Sequence, residues 1–255
     1  MGRLNAYRQF EWSLAKRPDH AHAILYMASL AIFTSVALPN MPNVIPRFFQ
    51  RALQIGTWAD IALFNLYAAT YIITLMVGAL DILRVWVQPC EEGYISLYLS
   101  KPIKPSTYLR ARLLPILING ALIGLAAQAA TGLAVWHIIG PFDRTQFLWS
   151  SALIIALILF TLCLYNLMFL FIRDSYHAMV LALVVWTITL GPASLYVYRP
   201  DLFSTTSRML VFPANLIWYQ SPIQTYGPIV LAGLAVGSAG LTWLASIKIG
   251  RAPLN

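Results

Sequence analysis

Charge is what this sequence has least of. Asp, Glu, Lys and Arg make up 10% of its 255 residues while 59% are apolar, against roughly a quarter charged in an ordinary soluble domain. A water-soluble fold could not cover that much apolar surface. Cysteine is scarcer still: Cys90 and Cys163 lie far apart, one in a polar stretch and one in an apolar run, which argues against a disulfide framework and against a thiolate zinc site. The four histidines do not compensate. His20 and His22 stand two apart and so point to different sides of a helix, His137 and His177 are solitary, and none has a partner at the i, i+4 spacing of helical zinc ligands. No Gly-Lys pair occurs anywhere, so the chain has no Walker A phosphate loop. The first twenty residues carry Arg3, Arg8, Glu11, Lys16, Arg17 and Asp19 and no apolar core ahead of a cleavage site, so no removable signal peptide is expected.

What is there is a set of long apolar runs. A membrane helix needs about 20 mostly apolar residues, and runs at 22–38, 58–80, 113–136, 147–172, 178–197 and 226–247 meet that length. With no water in hydrocarbon, each run must satisfy its own backbone polar groups, which selects helices. The expectation is an all-α polytopic membrane protein with six transmembrane helices in a single domain, 1–255. The net charge of +8 falls at the ends of these runs, so lipid and not nucleic acid is the expected surrounding.

Lys and Arg are retained on cytoplasmic flanks. Placing the N-terminus inside puts Arg3, Arg8, Lys16, Arg17, Arg84, Lys101, Lys104, Arg110, Arg112, Arg173, Lys248 and Arg251 in the cytoplasm, against Arg47, Arg51, Arg144, Arg199 and Arg208 outside. Twelve against five predicts both termini cytoplasmic, in a bacterial inner membrane. Over 1–18, Leu4, Tyr7, Phe10 and Leu14 recur every three or four residues, the spacing of an amphipathic helix lying in the interface. The connection 199–225 is apolar for an outer loop and holds Pro213 and Pro222, which predicts a re-entrant segment between spans five and six.

The longest cytoplasmic connection is 81–112. Glu91 and Glu92 suit the first turn of a short helix, where the macrodipole favours acids. Ile95, Leu97 and Leu99 supply its apolar contacts, and Pro102 and Pro105 close it. Glu91-Glu92-Gly93, Leu97-Tyr98-Leu99-Ser100, Pro102-Ile103, Tyr108-Leu109 and Arg112, set between the second and third spans, resemble the permeases of the ABC-2 type transporter family. Tyr94, Ala111 and Arg112 stand where that family often has Thr, Gly and Lys. The resemblance implies the membrane-spanning subunit of an ATP-binding-cassette exporter, not an enzyme by itself. It implies two ATPase chains per complex, which carry the ATP and Mg, and a second permease copy or a related permease. This chain itself would bind no cofactor. It also implies that Glu91, Glu92, Gly93, Leu97, Ser100 and Pro102 contact or position the element that couples to the ATPase. The competing class is a non-transporting anchor or assembly subunit that recruits cytoplasmic machinery through the same loop.

Ionisable side chains near the bilayer centre would mark ion-driven transport. Asp60 and Asp81 fall at the ends of the second run and Asp174 in the short connection after the fourth, which disfavours ion coupling. Uncharged polar residues do fall within the runs. Asn65, Thr70, Asn119, Gln128 and Asn166 are candidates for a substrate path, with interhelical hydrogen bonding worth roughly 1 kcal/mol each as the structural alternative. The scarcity of charge points to an apolar, amphipathic or lipid-linked cargo. Trp58, Trp86, Trp136 and Trp149 sit near run ends, where interfacial aromatic belts form. Gly120-x3-Gly124 and Gly233-x3-Gly237 permit close helix packing, expected within the subunit.

Overall fold

The computed structural model describes residues 18–44, 47, 57–93, 105–198, 202, 204 and 223–250. Among the described residues all regular structure is helical. We number six helices: α1 Pro18–Ala37, α2 Trp58–Glu91, α3 Pro105–Ala134 with a final wide turn Val135–Ile139, α4 Arg144–Phe169, α5 Ser175–Tyr198 and α6 Ile223–Gly250. Five of them, α1, α2, α3, α4 and α6, are long and apolar enough to cross a membrane. The chain is therefore a multi-pass membrane protein. α5 is apolar from Ser175 to Ile188, and its helix continues to Tyr198. All but the last residue of the expected interface helix over 1–18, and most of the expected re-entrant segment, lie outside the described residues.

Local chemistry sets the helix starts. Thr57 caps α2: its hydroxyl accepts from the Asp60 amide at 3.0 Å and donates to the Asp60 carboxylate at 2.6 Å, a side-chain N-cap. Asp143 caps α4 by accepting from the amides of Thr145 and Gln146. Asp174 does the same for α5 through Tyr176 and His177. Such caps satisfy amides that a helix start otherwise leaves open.

Two expected boundaries are corrected. The second helix does not stop near residue 80 but continues through a wide turn, Leu83–Val87, to Glu91. The third begins at Pro105, eight residues before the expected 113. Pro105 opens this helix, as suits a residue without an N–H at the first helical position. The expected loop 81–112 is thus helical at both ends. Apolarity alone missed this because Asp81, Arg84 and Arg112 read as water-facing, whereas each has a partner inside the protein.

α2 is the central helix, with the most enclosed surface, and α1, α3 and α4 pack around it. α6 packs mainly on α4 and also meets α3, and α5 packs against α2. Close approach is made by glycine. A Cβ on Gly78 of α2 would lie 2.3 Å from Leu162 of α4, and one on Gly120 of α3 would lie 2.8 Å from the same side chain. Leu162, fully buried, therefore seats α4 between α2 and α3. Gly124 faces Ile155 and Gly237 faces Phe160, both on α4, so these small residues serve contacts within the subunit. Among the described residues Gly233 has no neighbour within 4 Å of a Cβ position. At the end opposite Glu91, Tyr67, Phe147, Phe142 and Trp136 form a chain of ring contacts. Arg144 lies 4.3 Å over the Trp136 ring, a cation–π contact.

Candidate functional site

The Glu91 end of the bundle is where charge collects. α2 spans 34 residues, about 51 Å at 1.5 Å per residue, well beyond a hydrocarbon layer of about 30 Å. Its last turn is Gln88–Glu91, with Glu92 as C-cap. Gly93 then turns left-handed at φ +76°, a conformation glycine adopts without a Cβ penalty. Glu92 and Gly93 are exposed. The sequence placed Glu91 and Glu92 in a first turn; the structure places them at the last turn and cap of α2. Acids there oppose the macrodipole. The opposition is relieved by the start of α5, whose Ser175 hydroxyl donates to the Glu91 carboxylate at 2.6 Å, so that the amide-rich end of α5 faces Glu91.

Leu97, Ser100 and Pro102 lie outside the described residues. Of the expected coupling set, then, the structure places Glu91, Glu92 and Gly93 together at one helix tip. Beside them, Asp174 pairs with His177. Its carboxyl is held below the usual carboxylate range, first by the hydrogen bond with His177 and then by the Tyr176 amide. Lys248 of α6 sits 4.5 Å over the Phe171 ring.

Behind the tip, acid–base contacts tie α2 to α1. His20 Nε2 meets Asp81 Oδ2 at 2.7 Å, with both side chains about nine-tenths buried, and Arg84 donates to Asp19 at 3.0 Å. Asp81 lies within α2 and not at its end. Arg112 of α3, 5% exposed, donates to the Val85 carbonyl. The Trp86 indole donates to Asn166 of α4 at 2.8 Å, so Trp86, 2% exposed, is an interior residue and not part of an interfacial belt. The buried role of Arg112 escaped sequence reading because a basic residue at a helix start looks like an interfacial anchor. The one available signal was Pro89, which leaves a carbonyl four residues earlier without its amide donor.

The polar residues nominated for a path, Asn65, Thr70, Asn119, Gln128 and Asn166, differ in their surroundings. Thr70 and Gln128 are brought together at 3.1 Å, and Ser151 of α4 donates to the Gln128 carbonyl oxygen at 3.2 Å. That chain joins α2, α3 and α4. Asn166 is fully buried against Trp86, and Asn119 is half-buried. Asn65 is exposed and turned back on the Ile61 carbonyl of its own helix. Sequence reading missed Ser151 and Tyr71, whose hydroxyl lies 3.1 Å from that of Thr161. An apolar cavity of about 110 Å³ opens between α2, α4 and α5, lined by Leu75, Met76, Tyr165, Met179 and Trp186 among others. Among the described residues no group of three His, Cys, Asp or Glu is placed to hold a metal.

Comparison of the chain with protein-family models and with curated proteins finds no match.

Proposed function

We propose that this chain is the membrane-spanning permease subunit of an ATP-driven exporter of the ABC-2 type, coupled through the tip of α2 to a separate ATPase. The observation that carries the reading is the tip itself. A helix longer than the bilayer ends in Glu91-Glu92-Gly93, the start of the motif that resembles the family, and Ser175 joins that end to α5. A push on the tip would reach α5 through this bond and the rest of the bundle through the contacts of Arg84, Val85 and Trp86.

In this reading α5 is the fifth of six spans, and 199–225 dips back into the bilayer edge. Both termini face the cytoplasm of a bacterial inner membrane, as the distribution of Lys and Arg supports. Two copies, or one copy and a related permease, form the path, with two ATPase chains beneath that bind ATP and Mg. Substrate passes between subunits, which is consistent with the internal pairing of Thr70, Gln128 and Asn166. The lipid-facing apolar cavity beside Met76 and Met179 supports an apolar or amphipathic cargo.

A second reading, a non-transporting anchor that recruits cytoplasmic machinery, also uses the exposed tip. Purification from the native membrane in mild detergent, followed by mass spectrometry, separates the two. Two ATP-binding-cassette ATPase chains per two permease chains are expected. Repeated recovery of the folded protein without any such ATPase rejects the exporter and favours the anchor.

A further inference from the structure

α2 widens at Leu83–Val87, where the Gln88 amide reaches back five residues to the Leu83 carbonyl. The sequence supplies the cause. Pro89 stands four residues after Val85; it has no N–H to offer the Val85 carbonyl, and its ring crowds that oxygen. The turn opens, and Val85 loses the donor that residue i+4 would ordinarily provide.

That vacancy in the ladder is filled from another helix. Arg112 Nη1 of α3 donates to the Val85 oxygen at 2.5 Å, and the side chain is 5% exposed. Burying a guanidinium is costly unless it is hydrogen-bonded, and an arginine serving only as an anchor would extend its head to water. The neighbours of Val85 are held as well. Arg84 bonds to Asp19 of α1 at 3.0 Å, and Trp86 bonds to Asn166 of α4 at 2.8 Å. Three consecutive residues of one wide turn thus reach three different helices.

We propose that this turn is a built joint in which Arg112 is a positioning residue: it replaces the amide that Pro89 lacks, and so fixes the direction of Gln88–Gly93 relative to α1, α3 and α4. The joint is a property of this chain alone and holds whatever partner meets the tip. A wide turn is the kind of helical irregularity that often accompanies function. Here it breaks a helix of 34 residues into a membrane portion and a tip. Without Arg112 the Val85 carbonyl would be open and the tip free to swing.

The test is a double-mutant cycle on the full-length chain in mild detergent, read by hydrogen exchange over 83–93 with α6 peptides as internal reference. Arg112→Leu is expected to raise exchange in 83–93 severalfold while leaving α6 unchanged. Pro89→Ala restores an amide four residues after Val85, so Pro89→Ala with Arg112→Leu is expected to return most of the protection. Arg112→Lys, which keeps one donor, falls between. Unchanged exchange in Arg112→Leu overturns the proposal, as does equal exchange in the single and double variants. If Arg112→Leu fails to fold, recovery of folded protein on adding Pro89→Ala supports the joint, and no recovery contradicts it.

Discussion

The Ser175 hydroxyl donates to a Glu91 carboxylate oxygen at 2.6 Å, joining the first residue of α5 to the last residue of α2 across 84 positions of sequence. The contact is exposed and worth about 1 kcal/mol or less in stability, so its importance is positional. With Cys90 and Cys163 replaced, Glu91→Cys and Ser175→Cys should form a disulfide on mild oxidation in native membranes. Failure of these two cysteines to cross-link, with a well-inserted chain, contradicts the placement of α5 beside the tip.

Gly93 turns at φ +76°, and among the described residues nothing lies within 4 Å of a Cβ position. A larger side chain there meets backbone strain. Gly93→Val is expected to cost about 1–2 kcal/mol at the turn and to redirect the segment that follows. Under the exporter reading it uncouples ATP hydrolysis from transport while leaving membrane insertion intact, and Gly93→Asn, which tolerates this backbone better, does so less. Transport by Gly93→Val at the wild-type rate removes Gly93 from the coupling path.

Gln128 accepts from Ser151 and donates to Thr70, so one amide holds three helices together. Gln128→Leu takes the acceptor from the Ser151 hydroxyl and a donor from Thr70, which keeps its bond to the Leu66 carbonyl, and should lower stability in detergent by about 1–2 kcal/mol. Asn65→Leu, at an exposed site bonded within its own helix, should change it little. The comparison is made by thermal unfolding in one detergent. A smaller loss for Gln128→Leu than for Asn65→Leu would show that the buried chain does not stabilise the bundle.

Asp174 caps α5, and its carboxyl is held below the usual range mainly by His177. Because the folded value is depressed, its contribution is fully present above the unfolded value of about 3.9. It is lost as pH falls through the lower folded value. Exchange at the Tyr176 and His177 amides, corrected for the intrinsic effect of pH, should accelerate over that acidic window in the wild type. It should respond less in Asp174→Asn, which retains a capping oxygen without the charge. Equal responses would place the acid sensitivity elsewhere.

The membrane portion of the fold was legible because apolar length is a one-dimensional signal: the runs at 58–80 and 147–172 correspond to α2 and α4. The α2 tip was not, because Asp81, Arg84 and Pro89 each look like a boundary when read singly. In three dimensions Asp81 faces His20, Arg84 faces Asp19, and the defect made by Pro89 is mended by Arg112. Partners 61, 65 and 27 residues away in sequence leave no local trace. The candidate site divides in the same way. Glu91, Glu92 and Gly93 were found by motif, but their place at the end of α2 followed from the continuation of the helix. Thr70 and Gln128 were marked as polar residues in lipid without indication that they meet each other.

The claim that the tip of α2 meets an ATPase is tested most directly by a photo-crosslinking amino acid at Glu92, exposed beside Gly93, in cells that make the protein at its native level. Leu148, 66% exposed near the opposite end of α4, is the control position. The account predicts that Glu92 captures an ATP-binding-cassette ATPase and that Leu148 does not. Capture at Glu92 of lipid and of this chain alone, from correctly inserted protein, would contradict it.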